Sequence, residues 1–330
     1  MNGRLLAAIL IVAGVAVGLF GSTYVLTVGI SAAIFATVAT AFNMVYGYTG
    51  LLCLGQVAFL GIGAYGSAVL SKDYGLSFWL SAPAGAALAS LFGLLIGYSS
   101  LRLSRHSFGI ATLTASLLCV ILARNWVEVT RGSMGLPGLP APHLGSLSIE
   151  HPRDFFWLAF AFAIISIAIM AAVLSSRIGR GFLAVKGNEA LARTQGLNTL
   201  GYKLLSLAIS AFFTGLGGAL LVTHLTIVDP SIFDFYYTET LLIMVVIGGL
   251  GHFWAVILSA VAFTVIPDLL LFSKDLRMIL YGFVLIAAVL SFPKGIAGLA
   301  RQRAVDGWRK RLAAQARQAA PATSGGSSHG

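Results

Sequence analysis

Long apolar runs separated by short polar, basic or turn-rich breaks set the pattern of this chain. The runs are 5–21, 24–45, 51–70, 76–101, 108–127, 155–174, 203–223, 237–250, 253–272 and 276–292. About 20 mostly apolar residues cross a bilayer's hydrocarbon as one helix. The pattern therefore predicts an all-α polytopic membrane protein of about ten spans. Glycines interrupt 51–70 and 237–250, which predicts re-entrant or discontinuous segments there. The first run follows Arg4 as in a signal peptide, but no small-x-small cleavage site follows, so an uncleaved first span is expected.

Composition agrees and narrows the class. Hydrophobic residues make up 58% of the 330 residues and charged ones 10%, against about 25% charged in an average soluble domain. So few charges cannot cover a water-facing surface. A soluble enzyme, a disordered protein and a disulfide scaffold are excluded. Glycine, at 38 residues where average usage gives about 23, points to close helix contacts. Cys53 and Cys119 lie in apolar stretches with no CxxC or Cys/His spacing, so small buried side chains are expected and no metal site.

Charge then orients the runs. Arg102, Arg105 and His106 fall in one break; Arg177, Arg180, Lys186, Arg193 and Lys203 against Glu189 fall in another. The segment 293–330 carries seven basic residues against Asp306, a surplus of +6 out of the chain's +10. These are expected to be cytoplasmic by the excess of Lys and Arg on that side. By contrast 128–154 carries Glu128, Glu150 and Asp154 against Arg131 and Arg153, and 224–239 carries only acids. Both are expected outside. Ten spans satisfy all these signs with both termini cytoplasmic. The expected organisation is a transmembrane domain at 1–292 with an external loop at 128–154 and a cytoplasmic loop at 175–202. A basic tail at 293–330 follows, its low-complexity end disordered. That tail has one aromatic and no reader motif, so it faces lipid headgroups and not nucleic acid.

Three glycine-rich stretches are candidates for chemistry. In 40–70, Gly47, Gly50, Gly55, Gly61, Gly63 and Gly66 are interleaved with Asn43, Thr49 and Gln56. Glycines admit a neighbouring backbone, and buried amides tend to face a polar path, so tight packing and a translocation path both stand as readings. In 177–203 a short amphipathic helix is expected to start at Asn188, with Glu189, Arg193, Gln195 and Gly196 near its end. It is either a solvated connection or a docking helix for a cytoplasmic partner. In 245–260, Gly248, Gly249 and Gly251 predict a helix break, and lone His252 reads as a hydrogen-bonded interfacial residue. Gly14/Gly18 and Gly93/Gly97 fit helix-contact faces. There is no phosphate-binding loop of the Gly-x4-Gly-Lys-Ser/Thr kind, no His-Glu-x-x-His and no Gly-x-Ser-x-Gly. Acidic residues are nearly absent from the run interiors, which disfavours an ion-coupled secondary carrier without removing it; a membrane-bound enzyme is a more distant third.

The stretch NMVYGYTGLLCLGQVAFLGIGAY resembles the signature of the LivM/LivH-type permeases of branched-chain amino-acid ABC transporters. Asn43, Gly47, Gly50, Gly55, Gln56, Phe59, Gly61, Gly63, Ala64 and Tyr65 match it; Cys53 stands where serine is usual. TRGSMGLPGLP is similar to that family's Thr-x-Gly-Ser-x-Gly-Leu loop through Gly132, Ser133, Gly135 and Leu136, with Arg131 where glycine is common. The cytoplasmic loop and the Gly-Gly-x-Gly segment also resemble their counterparts. The external loop favours the LivM branch.

The resemblance implies one of two different permease subunits, paired with a LivH-like chain, two cytoplasmic ATPases and a periplasmic binding protein in a bacterial inner membrane. ATP and Mg would sit in the ATPases, with no cofactor, metal or catalytic residue in this chain. The substrate implied is a branched-chain amino acid, with urea, short amides or aromatic acids as alternatives. Asn43, Gly47, Gly50, Gly55, Gln56, Gly61, Gly63 and Tyr65 would line the path, and the external loop would receive substrate from the binding protein. Asn188, Glu189, Ala190, Arg193 and Gly196 would form the coupling helix at about 187–198, one residue out of step with the family's Glu-Ala-Ala-x3-Gly pattern.

Overall fold

The computed structural model describes residues 3–102, 105–144, 147–149, 151–269 and 283. The expected span 276–292, but for Phe283, and the whole basic tail lie outside them. Twelve α-helices follow one another among the described residues: α1 Gly3–Phe20, α2 Thr23–Asn43, α3 Gln56–Lys72, α4 Phe78–Ser100, α5 Arg105–Asn125, α6 Val127–Thr130, α7 Pro152–Ser175, α8 Arg177–Gly187, α9 Glu189–Thr194, α10 Thr199–Leu225, α11 Phe235–Gly248 and α12 Phe253–Leu269. Five helical segments are long and apolar enough to cross a membrane: Thr23–Thr49, Phe78–Ser100, Ser107–Asn125, Pro152–Ser175 and Thr199–Leu225.

Two expected spans are shorter than the apolar runs suggested. α2 widens at Asn43 into a π-helical turn, Met44–Thr49, which ends at Gly50 with φ 76°. Residues 51–55 are not helical, so α3 starts only at Gln56 and its 17 residues rise about 26 Å. α11 has 14 residues, about 21 Å, and stops at Gly249 with φ 100°. Both fall short of the ~30 Å hydrocarbon thickness. Glycine supplies these endings because only it adopts a left-handed or open turn at no steric cost.

The bundle's exposed faces are apolar, and its buried polar side chains are gathered within a largely apolar interior. Leu91 and Leu95 on α4, Leu117 and Ile121 on α5, and Ile165 and Ile169 on α7 are exposed. Thr37, Thr40, Asn43, Thr49, Gln56, Ser67, Ser206, Ser210 and Thr214 are buried. Such an arrangement suits a lipid solvent, where polar groups belong in the protein interior. Several hydroxyls satisfy themselves within their helix: Thr40 donates to the Ala36 carbonyl at 2.7 Å and Thr37 to Ala33 at 3.0 Å.

α3, α4 and α10 pack against one another at the centre, and α2 lies between α10 on one side and α7 and α12 on the other. The contact of the first three is backbone on backbone. A Cβ at Gly63 would strike the backbone of Gly215; one at Gly218 would strike the Leu60 carbonyl; one at Gly85 would sit 2.5 Å from the Gly63 oxygen. The two glycine pairs do face helices: Gly14 and Gly18 of α1 meet Phe160 and Trp157 of α7, and Gly93 and Gly97 of α4 meet Ala211 and Leu207 of α10.

The segment 128–154 is more ordered than a loop. It holds α6, a 3-10 turn Gly132–Met134 and three strands of two residues: β1 Leu136–Pro137, β2 His143–Leu144 and β3 Leu147–Ser148. β2 and β3 form a hairpin. β1 pairs antiparallel with β4, Ile227–Val228, in the register Leu136↔Val228. Arg131 reaches Asp73 at 3.4 Å, Lys72 donates to the Pro137 carbonyl, and Trp79 Nε1 donates to the His143 carbonyl at 2.8 Å. These segments share one end of the bundle. The loop between α7 and α10 packs at the other, against the π turn.

Gly63→Val should lower unfolding stability in detergent by about 3 kcal/mol, the upper end for overpacking, because the obstructing atoms are backbone and cannot rotate away. Gly187→Ala, which would meet nothing within 4 Å, should change stability by less than about 0.5 kcal/mol. Thermal unfolding followed by fluorescence checks both.

Candidate functional site: the helix breaks and the loop that reaches them

The two helix breaks meet. α2 ends, through its π turn, where α12 begins, and each end leaves backbone groups without helical partners. Asn43 Oδ1 accepts from the Gly251 amide at 2.9 Å, fastening the start of α12 to the end of α2. Lys186, next to last in α8, donates to the Gly47 carbonyl at 2.5 Å. A Cβ at Gly47 would strike the Asn43 side chain and lie 2.5 Å from the Gly251 nitrogen, so that position has no room for a side chain. Gly251 has φ 84° and more room: a Cβ there would lie 3.0 Å from the Gly47 oxygen and 3.4 Å from Lys186 Nζ. Three segments far apart in sequence form one polar knot.

A second cluster joins the broken segment to α10. Gln56, the first residue of α3, donates through Nε2 to Ser210 Oγ at 2.9 Å and to Thr214 Oγ1 at 2.5 Å. Ser210 passes on to the Ala41 carbonyl at 2.7 Å, and Thr49 donates to Ser206 Oγ at 3.1 Å. Thr112 of α5 accepts from the Leu54 amide at 3.1 Å. Gln56 Oε1 and Asn43 Nδ2 are buried with no hydrogen-bond partner among the described residues.

The path residues expected from sequence are therefore not gathered into one lining. Asn43 and Gly47 sit in the knot. Gly50 turns the chain, and a Cβ at Gly55 would lie 2.6 Å from the Thr112 carbonyl oxygen. Gly61 faces the Phe233 ring and Gly63 the Gly215 backbone. Tyr65 stacks on Phe233 with centroids 5.9 Å apart, its hydroxyl buried and unpartnered among the described residues. These glycines make close contacts in the structure. An apolar cavity of about 330 Å³ lies elsewhere, between α1, α2, α7 and α12; Gly29, Ala36, Phe160, Ala163 and Ile257 line it, and none of the expected path residues does.

In the 128–154 segment the motif residues build a turn. The Thr130 hydroxyl lies 2.7 Å from the Ala123 carbonyl and accepts from the Gly132 amide at 3.3 Å. Gly132 and Gly135 have positive φ, Leu136 is buried in the strand pair, and Ser133 is exposed beside Met134. Arg131 adopts φ 62°, the left-handed region that glycine enters freely.

The cytoplasmic-loop expectation is half right in position. Asn188 does cap a helix, accepting from the Leu191 amide at 3.0 Å, and Gly196 ends it with φ 80°. That helix, α9, has only six residues. The amphipathic helix is instead α8, which buries Gly179, Gly181, Phe182 and Val185 against the bundle. The i, i+3 spacing of Phe182 and Val185 was its signal. Glu189 does not point away from the protein: it accepts from Lys203 Nζ at 2.6 Å and from Arg193 at 3.3 Å. Burial alone would raise its carboxyl pKa, but Lys203, with help from Thr199 and Arg193, holds it below the usual carboxylate range. Ala190 and Leu191 are exposed. His252, expected to be hydrogen-bonded, buries Nδ1 without a partner among the described residues.

Comparison with known proteins gives a consistent picture. The family described as branched-chain amino acid transport system / permease component matches residues 24–289. The high-affinity branched-chain amino acid transport system permease protein LivM of Escherichia coli (strain K12) is 30% identical over 81% of this chain and 68% of its own length, and so is LivM of Salmonella typhimurium (strain LT2). The permease protein LivH of Escherichia coli (strain K12) is 24% identical over 80% of this chain and 91% of its own length. No solved structure matches the chain.

Asn43→Leu should cost about 1–3 kcal/mol, the penalty for a buried Gly251 amide left without an acceptor, measured by denaturation in detergent. Lowering the pH tests the Glu189–Lys203 tie. A carboxyl whose folded pKa lies below its unfolded one contributes fully above the unfolded value. Its contribution is lost as pH falls through the folded one. Protection of the α9 backbone amides, measured relative to intrinsic exchange at each pH, should therefore fall on acidification in the native chain and be low throughout in the Glu189→Gln chain.

Proposed function

This chain belongs to the family of permease components of branched-chain amino acid transport systems; from that premise, we propose that it is one of two permease subunits of an ATP-driven importer of hydrophobic amino acids. Its partners are a LivH-like permease, two cytoplasmic ATPases that hold ATP and Mg, and a periplasmic binding protein. The chain lies in a bacterial inner membrane with both termini cytoplasmic. It carries no catalytic residue and no metal. Branched-chain amino acids are the substrate, with urea, short amides and aromatic acids as the other arms of the test.

The observation that carries this reading is the link from an exposed loop helix to the helix breaks. A transport subunit without its own energy source needs a solvent-facing element that takes up a partner's motion and an internal element that can change shape. α9 presents Leu191, 59% exposed, beside Arg193, and the adjoining α8 bonds the broken end of α2. The basic loop lies at the end of the bundle opposite the acidic 226–234 turn, which fits the expected orientation. Glu189 is drawn in by Lys203, so the exposed Leu191 is the residue offered to an ATPase groove, with the Arg193 side chain, 71% exposed, beside it. The turn held by Thr130 and Leu136 exposes Ser133 and Met134 to the binding protein.

Reconstitution in liposomes with the partner subunits tests the function. ATP-dependent uptake of leucine, isoleucine or valine is expected only with all partners present. Uptake by this chain alone, driven by an ion gradient, would sink the reading in favour of a secondary carrier. Leu191→Asp should reduce retention of the ATPase subunits on purification by about tenfold or more, as for a buried contact residue at an interface; full retention would remove α9 from the docking surface.

A further inference from the structure

We propose that Lys186 is the residue through which the loop moves the helix break: its ammonium, bonded to the Gly47 carbonyl, couples α8 to the end of α2. The inference rests on the importer reading and deepens it. The Gly47 carbonyl lies in the last turn before the chain leaves the helix at Gly50, where carbonyls lose their helical donors. A cation is the fitting cap there, because the helix's negative end and the free carbonyl both attract it, and a charged donor makes the stronger bond. The Gly251 amide that Asn43 holds lies beside the same carbonyl, close to Lys186 Nζ. Lys186 therefore touches, within one cluster, the end of α2 and, through the neighbouring Gly251, the start of α12.

Its position along the loop makes the contact mechanical. Only Gly187 and Asn188 separate Lys186 from α9. Asn188 has an extended backbone, φ −156° and ψ 106°, so the chain bends between two short helices. α8 is held on the bundle by Phe182, set edge-on to Tyr202 at 6.2 Å between ring centroids, and by Gly181, which leaves room for that ring. α8 can then rock about its buried face, with Lys186 at the end nearest α9. A displacement of α9 reaches the Gly47 carbonyl through this side chain. The bond asks nothing of the substrate, so Lys186 acts on the path and not on what passes through it.

The test uses the full importer in liposomes and reads uptake per ATP hydrolysed. Lys186→Cys should lower that ratio by about tenfold, within the range of a coupling free energy. Alkylating the folded, assembled variant with 2-bromoethylamine rebuilds a lysine-like aminoethyl side chain and should restore the ratio. A role in folding alone could not be rescued after assembly. Cys53 and Cys119 are buried, and the native chain treated in the same way is the control. An unchanged ratio in Lys186→Cys overturns the proposal, and so does a ratio that stays low once mass spectrometry shows the aminoethyl group in place. Should the cysteine chain fail to assemble, Lys186→Arg decides: it keeps a donor and should keep the ratio, and a tenfold loss would overturn the proposal. A native importer with no ATP-dependent uptake would instead refute the importer reading itself.

Discussion

A helix that ends in a protein interior leaves amides and carbonyls that water cannot reach, and this chain ends two helices against each other, at Gly50 and Gly249. Each buried group left unsatisfied would cost about 1–3 kcal/mol. The structure answers by bringing the two endings together. The Asn43 side chain serves the start of α12, and Lys186 serves the end of α2. Much else follows from that exchange. Gly47 must be glycine because a Cβ there would strike Asn43 and crowd the Gly251 amide, and Gly251 is constrained by its φ of 84°. α8 must lie flat on the bundle because Lys186 has to reach inward from it. The knot is the point at which the break, the loop and the membrane core constrain one another.

Glycine does two different jobs in this molecule, and the distinction is physical. At Gly50, Gly249 and Gly251 it supplies a backbone turn with positive φ. At Gly63, Gly85, Gly215 and Gly218 it removes a side chain so that three helices can touch backbone to backbone. Packing of this closeness is what holds helices together where lipid gives no hydrophobic drive. The same run, 47–66, holds both kinds, so a turn that can change and a contact that resists change are adjacent in sequence.

This adjacency explains what was legible in the sequence. Apolar periodicity and basic breaks gave the helices and their grouping into two ends, and the glycine runs marked both interruptions. At Gly61 and Gly63 the structure shows close contacts, which sequence could not distinguish: a glycine that admits a neighbour and one that lines an opening look alike there. The π turn at Met44–Thr49 was hidden because its composition is that of any apolar helix. Lys186 was read as a positive-inside charge among others. Its reach to Gly47 depends on α8 being buried along Gly179, Phe182 and Val185, a stripe that spacing could have revealed. The Glu189–Lys203 pair was not legible because Lys203, fourteen residues on, returns beside Glu189 only once α10 has formed.

α10 gives the knot a second, stiffer connection to the loop. Lys203, Ser206, Ser210, Thr214 and Gly218 recur at intervals of three and four, which places them on one face of a single helix. In order along that face they meet Glu189, Thr49, Gln56 and then the backbone at Leu60. The first partner belongs to α9, Thr49 closes the π turn, and the others belong to α3. An unbroken helix transmits displacement along its axis, whereas the hinge at Asn188 converts it into rotation. The loop thus holds the broken segment at two places by two kinds of linkage: a single lysine at the end of α2, and a hydrogen-bonded stripe leading to the start of α3. A difference in movement between the two would be absorbed at residues 50–55. That is where the chain is not helical and where Gly50 turns it, while Leu54 and Gly55 stay against Thr112 of α5.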